Sequence, residues 1–221
     1  MKKWIALGLA IIAALLLLLL PNKPKQQYHH NQGNIFGTYY NIRYESAVDL
    51  HEEIKALLQE VDASLSMFNP QSVISKINRN EECTTDTLFE WMYREAYAIS
   101  ELSGGAFDIT VAPLVNAWGF GTKGQTPTTS DEICVDSIMP YVGYYKTNLI
   151  DHQIKKHDPR ITLDASAIAK GYACDVVANM LRNEGCANLL VDIGGEVVVQ
   201  GINNNGNAWR VGISKPKKKT K

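Results

Sequence analysis

Between residues 35 and 46 apolar and polar side chains alternate. Phe36, Thr38, Tyr40, Ile42 and Tyr44 share one side, and a period of two predicts a strand. The period then lengthens: Leu50, Ile54, Leu57, Leu58 and Val61 recur at helical spacing through 47–65. An Asn-Pro turn and a short helical turn are expected in 66–80. Residues 84–105 predict a longer helix, with Thr84, Thr85 or Asp86 available as its cap. Leu88, Met92, Ile99 and Leu102 fall near one stripe, and Gly104-Gly105 stops it. AFDITVAPLVNAWGFG (106–121) is apolar without a period and reads as loop. Residues 122–140 are polar and rich in Pro, Thr and Ser, a linker or surface loop. Short strands around a turn are expected in 141–165. A helix follows over 169–184, with Tyr172, Ala173, Val176, Val177, Met180 and Leu181 on one face. Strands are expected in 188–201 and 209–214. No segment repeats. The order β-α-α-loop-β-α-β-β predicts an α+β (mixed α/β) domain over 35–214 rather than a regular βαβ array.

The N-terminus departs from this pattern. Lys2 and Lys3 precede an uncharged apolar run from Trp4 to Leu20, which sits between the length of a signal-peptide core and that of a spanning helix. Pro21 follows with no small-x-small site, so residues 1–20 are expected to be an uncleaved signal anchor, with a cleaved signal peptide as the alternative. Lys2 and Lys3 would stay inside. Residues 21–34 read as a polar tether. The net charge of −1 over 221 residues conceals an asymmetry. Seven of the 22 basic residues are Lys2, Lys3 and the lysines of KPKKKTK (215–221), leaving 15 against 23 acidic residues. An acidic body argues against nucleic acid as a partner. The basic tail reads as a solvated end or a contact for an anionic surface. Cys83, Cys134, Cys174 and Cys186 lack CxxC spacing, which disfavours a zinc ribbon. Cys174 falls in a helical pattern and is expected in the core. Cys83 and Cys134 are open to oxidation in an exported compartment.

Three stretches can carry chemistry. In GGAFDITVAPLVNAWGFG (104–121) a helix stop leads directly into Ala106, Phe107 and Asp108. Phe107 can stack on a planar ring and Asp108 can accept from ring or ribose donors, or Phe107 is buried and Asp108 caps a backbone turn. In DASAIAKGYACD (164–175) a small-residue turn opens a helix, with Asp164 and Lys170 six residues apart. Asp164 can bind a donor or metal, backbone carbonyls can ligate a hard cation, and Lys170 can meet a phosphate. Alternatively Asp164 caps the helix and Lys170 is solvated. In VDIGGEVVVQG (191–201) Gly194-Gly195 makes either a hairpin turn or a backbone surface pressed against something flat. GxxxxGK[ST], HExxH, GxSxG and GxGxxG are absent, and the five histidines show no metal spacing.

Taken in order, FGT (36–38), MFNPQSVISKINR (67–79), GGAFDITVAPLVNAWGFG, LDASAIAKGYACD and VDIGGEVVVQG before WRVGI resemble the FAD:protein FMN transferase family, the ApbE flavin transferases. The resemblance spans 35–214 and implies a single flavin-transferase-like domain after an N-terminal membrane helix. It implies an enzyme that binds FAD and Mg2+ and transfers FMN to a threonine hydroxyl of a target protein, releasing AMP. Targets in that family are typically subunits of membrane redox pumps. The implied location is the inner (cytoplasmic) membrane, with the catalytic domain facing the periplasm or exterior. Carried over residue by residue, Phe36 and Phe68 match positions lining the flavin site. Ala106, Phe107, Asp108, Asp164 and Lys170 match FAD contacts, and Ala167 matches a position whose backbone carbonyl coordinates magnesium. Magnesium would bridge the pyrophosphate, with Asp164 and Lys170 flanking the FAD on one turn.

The resemblance also carries a departure. Family members continue past the strand that WRVGI matches, into a His-x-x-Asp-Pro-x-x-Gly stretch and an aspartate/threonine motif that supply further magnesium ligands. No residue here matches them, so the chain is expected to lack the family's C-terminal third. Two other readings stand beside the enzyme: a non-catalytic, membrane-anchored flavin-binding protein, and a structural anchor whose lysine tail docks a partner or lipid head group.

Overall fold

A computed structural model describes residues 26–121 and 134–212. The apolar run 4–20, most of the loop expected at 122–140 and the basic tail 215–221 lie outside the described residues. No helix among the described residues is long and apolar enough to cross a membrane.

The expected strand is one half of a hairpin. β1 (Gln27–Ile35) pairs antiparallel with β2 (Thr38–Ser46), from Gln27 opposite Ser46 to Ile35 opposite Thr38. Most of the stretch expected to be a tether is therefore an edge strand. Its polar sequence hid it, because only Asn31 of β1 is buried. Tyr44 accounts for that burial: its hydroxyl donates to Asn31 Oδ1 at 2.8 Å, and its ring stacks on His29.

β5 (Leu189–Ile193) pairs with β2, and β6 (Glu196–Gln200) with β5, giving an antiparallel sheet of order β1-β2-β5-β6. Alternation then decides the core. Tyr40, Ile42 and Tyr44 of β2 and Leu189, Val191 and Ile193 of β5 are buried. Helices α1 (His51–Leu65) and α6 (Ala169–Asn183) join them through Ile54, Leu58, Val61 and Leu65 and through Ala173, Val177 and Leu181. Each such fully buried Leu, Ile or Val is worth about 1.5–3 kcal/mol. Cys174 is in this core, as expected, and all four cysteines are free thiols.

α2 (Val73–Asn78) and α3 (Thr87–Leu102) complete the helical layer. Asp86 is the residue that caps α3: its carboxylate accepts from Phe89 N at 2.8 Å and also from Ser64 Oγ of α1 at 2.8 Å. A separate hairpin, β3 (Thr147–Ile150) with β4 (Gln153–Lys156), turns at Asp151-His152.

Three further expectations fail in whole or in part. AFDITVAPLVNA is not a loop but a 3₁₀ turn, Ile109–Val111, running into helix α4 (Ala112–Ala117). Pro113 in the first turn costs α4 no hydrogen bond. Beyond it, α5 (Val135–Ile138) occupies part of the expected surface loop. Residues 209–212 form no strand. Among the described residues their backbone finds no ladder, and nearby pairing is limited to the bridge Ile202–Ala208 and the Trp209 indole donating to Gln200 O at 2.9 Å.

Candidate functional site

The segment 161–165 is buried yet belongs to no ladder; Ile161, Leu163 and Ala165 are at most 1% exposed. It delivers Asp164 to a turn at 166–168 that opens α6. Asp164 is 8% exposed, its N–H donates to Ile109 O at 2.6 Å, and its Oδ1 accepts from Ser166 N at 2.7 Å. As α6 begins, Ala169 N donates to Ala165 O and Tyr172 N to the carbonyl of Ile168. The Ala167 carbonyl, one residue earlier, finds no backbone donor among the described residues. The turn thus leaves the Ala167 carbonyl, like those of Asp164 and Ser166, uncommitted among the described residues.

Two cavities meet at this turn. The larger, about 970 Å³, is lined by Ala106, Phe107, Asp108, Asp164, Ser166 and Ala167, with Val142–Tyr145 and Phe120 opposite. The smaller, about 200 Å³, is lined by Phe36, Thr38, Leu65–Phe68, Ala169 and Lys170, and again by Ser166. All eight residues singled out from the sequence line one or the other. Asp164 lines the larger cavity and Lys170 the smaller, with Ser166 common to both.

Asp108 is committed to the protein. Its Oδ1 accepts from Thr110 N at 2.7 Å and Thr110 Oγ1 at 2.6 Å, and its Oδ2 from Tyr144 N at 2.7 Å. Gly143 N donates to Thr110 Oγ1 at 2.7 Å. The capping alternative thus holds for its carboxylate, which also fixes the opposite wall of the larger cavity. That wall was not recognised in the sequence. YVGYYK spells no motif, and only the contacts across 33 and 36 residues bring it to the site. Aromatic rings continue behind it, with Tyr97 edge-on to Tyr144 at 5.2 Å and Tyr144 edge-on to Tyr145 at 5.7 Å.

The smaller cavity is built differently. Phe36 and Gly37 form the β1–β2 turn with φ of 53° and 71°. Two positive φ values define a type I′ turn, where Asn-Gly is the usual pair. Phenylalanine in the left-handed region costs about 1–2 kcal/mol, and here the residue holds an aromatic ring on the cavity wall. Phe68, 64% exposed, stands on the same wall. Lys170 lies in the first turn of α6, where a cation opposes the helix dipole. Its Nζ is 3.9 Å from Glu196 Oε1, a loose pair that leaves it able to meet an anion. The Gly194-Gly195 pair is a hairpin turn, and it is also pressed close. At Gly194 (φ 58°) a Cβ would stand 2.7 Å from Thr38 Cγ2 and 3.3 Å from Lys170 Cδ. The hairpin reading therefore holds, and the close neighbours of Gly194 are the cavity's own side chains rather than a flat group.

No group of three or more His, Cys, Asp or Glu able to hold a metal occurs among the described residues. Magnesium requires six oxygens in near-octahedral order and commonly takes one or two carboxylates with phosphate and water. The Ala167 carbonyl and the Asp164 carboxylate are oxygen donors of the type such a shared shell uses, and they do not form a protein-only cage.

The ApbE family model matches residues 36–221. The chain belongs to the ApbE family. It is 34% identical to the FAD:protein FMN transferase of Vibrio cholerae, over 98% of this chain and 66% of the relative. To the Haemophilus influenzae enzyme of the same name it is 32% identical, again over 98% and 66%. The chain thus spans about two thirds of the length of these curated relatives. The fold agrees: the solved flavin transferase ApbE from Vibrio cholerae superposes with a TM-score of 0.78, covering 87% of this chain and 65% of that one. The ApbE protein of Thermotoga maritima superposes at 0.74 with 26% identity, covering 88% and 65%. The mixed α/β fold is that of the ApbE family.

Proposed function

We propose that this ApbE-family chain binds FAD and transfers its FMN moiety to a threonine hydroxyl of a target protein, releasing AMP. The observation that carries the reading is the junction at Ser166. There Ser166 lines both an aromatic cavity bearing a lysine and a larger cleft bearing a carboxylate and a free carbonyl. FAD is a ligand of matching chemistry, with two aromatic ends joined by a pyrophosphate. Phe36 and Phe68 offer apolar faces to a ring, Lys170 an ammonium to a phosphate, and Asp108 holds the Tyr144 wall in place. In the transfer, the threonine oxygen bonds to the FMN phosphorus. The pyrophosphate P–O bond breaks, its bridging oxygen leaves with AMP, and the hydroxyl proton is released. Holding these atoms in line supplies much of the rate in such reactions. Magnesium, held by the Ala167 carbonyl and Asp164 together with pyrophosphate oxygens, would neutralise charge on the leaving group.

The apolar run Trp4–Leu20 behind Lys2 and Lys3 supports a location at the inner membrane with the domain facing the periplasm or exterior; a membrane redox-pump subunit as target rests on the family resemblance. The absence of a carboxylate cluster among the described residues favours one second reading, a flavin-binding protein that performs no transfer. Incubation of the full chain with FAD, Mg2+ and a threonine-bearing target domain separates the two. Covalent flavin fluorescence on the denatured target, with AMP released and both lost in EDTA, is the expected result. Tight FAD binding with neither product, beside a Vibrio cholerae enzyme that yields both, would establish the binder instead.

A further inference from the structure

The buried segment 161–165 has backbone groups that no strand satisfies, and side chains of distant elements satisfy three of them, Leu163 N and O and Ile161 O. Asn78, the last residue of α2, does so twice: its Nδ2 donates to Leu163 O at 2.9 Å and its Oδ1 accepts from Leu163 N at 2.7 Å. Lys156 of β4 reinforces the same contact, its Nζ donating to Ile77 O at 2.8 Å and Ile161 O at 2.9 Å. The other end of α2 is tied to the opposite part of the site. Ser72, its cap, donates from Oγ to Ser66 O at 2.7 Å, and Ser75 Oγ reaches Met67 O at 3.4 Å. Ser66 and Met67 line the smaller cavity with Phe68, while Leu163 leads directly into Asp164 of the larger. A six-residue helix thus stands as a strut between the walls of the two cavities.

We infer that Asn78 is a positioning residue that sets the offset between the two cavities, so that one ligand can occupy both at once. The inference rests on the reading of the site as an FAD site. Asn78 touches neither cavity and acts through the Leu163 backbone. A ligand with two linked ends gains affinity only when both subsites stand at the distance its linker spans. Losing the strut therefore penalises FAD and spares a fragment that fills one cavity.

The test compares FAD, FMN and AMP binding to the full chain, to Asn78→Ala and to Asn78→Asp, by calorimetry well below each melting temperature. Asn78→Ala is expected to weaken FAD about tenfold, the loss of one to two net hydrogen bonds, with FMN and AMP unchanged. Asn78→Asp, which keeps the acceptor for Leu163 N and loses the donor, is expected to weaken FAD by roughly threefold with the same selectivity. Equal weakening of all three ligands, or of none, in either folded variant would overturn the inference while leaving the flavin reading intact. A wild-type chain that binds none of the three would overturn the flavin reading, and the inference with it.

Discussion

The two cavities that meet at Ser166 have opposite constructions. In the larger one the Asp108 carboxylate is already spent, accepting three hydrogen bonds from its own protein, and Asp164 commits one oxygen, Oδ1, to Ser166 N. In the smaller one Phe68 projects into solvent and Lys170 has only a loose ionic neighbour. Asp108 in the first shapes a wall, whereas side chains in the second stand ready for a ligand. Substitutions should therefore act on stability in one and on binding in the other.

The largest effect is expected from Asp108→Ala. It removes three charge-assisted hydrogen bonds and leaves fully buried Thr110 without its main partner. A loss of about 3 kcal/mol is expected, roughly 6–12 °C in melting temperature for a domain of this size. Phe68→Ala should do the reverse: a melting temperature within about 2 °C of wild type and FAD affinity reduced about tenfold. A clear thermal loss in Phe68→Ala would erase the contrast. Phe36→Asn lies between them. It suits the type I′ turn by about 1 kcal/mol and forfeits apolar contact of similar size, so stability should barely move while FAD affinity falls several-fold.

The smallest effect concerns Lys156. Burial pulls its ammonium down from 10.5 to about 8. The unfolded chain then holds more protons between those values, so the Lys156 contribution to stability rises as pH climbs from about 8 to 10.5. Because the group is only half-buried, screening keeps this below about 1 kcal/mol. The stability of wild type relative to Lys156→Met, measured by urea unfolding at pH 7.5 and 10, should increase over that window. A flat difference would mean that the ammonium is not desolvated.

What was readable in the sequence, and what was not, follows the same division between local and distant causes. Helix α3 was legible from its cap and glycine stop, but its expected stripe was misplaced: Phe89, Met92, Tyr93 and Ala96 are buried while Ile99 and Leu102 are exposed. Helix α6 was legible from its stripe and the Gly185 stop. Strand β1 was missed because its side chains are largely polar and its order comes from pairing with β2. The segment 106–117 was missed because a helix with little polar contrast has no visible period. The small residues of 164–171 and the Phe107-Asp108 pair pointed to the site. The Gly143–Tyr145 wall and the Asn78 strut did not, since contacts 33 to 85 residues apart create both. Phe36 shows the converse: a residue unfavourable for its own turn is a signal that only the backbone angle reveals.

The most direct test of the central claim, that both cavities form one FAD site, is a crystal structure of the full chain with FAD. The account predicts a single FAD molecule passing Ser166, one aromatic end against Phe68 and the other in the cleft of Phe107 and Tyr144. Density confined to one cavity, or FAD bound elsewhere, would contradict it.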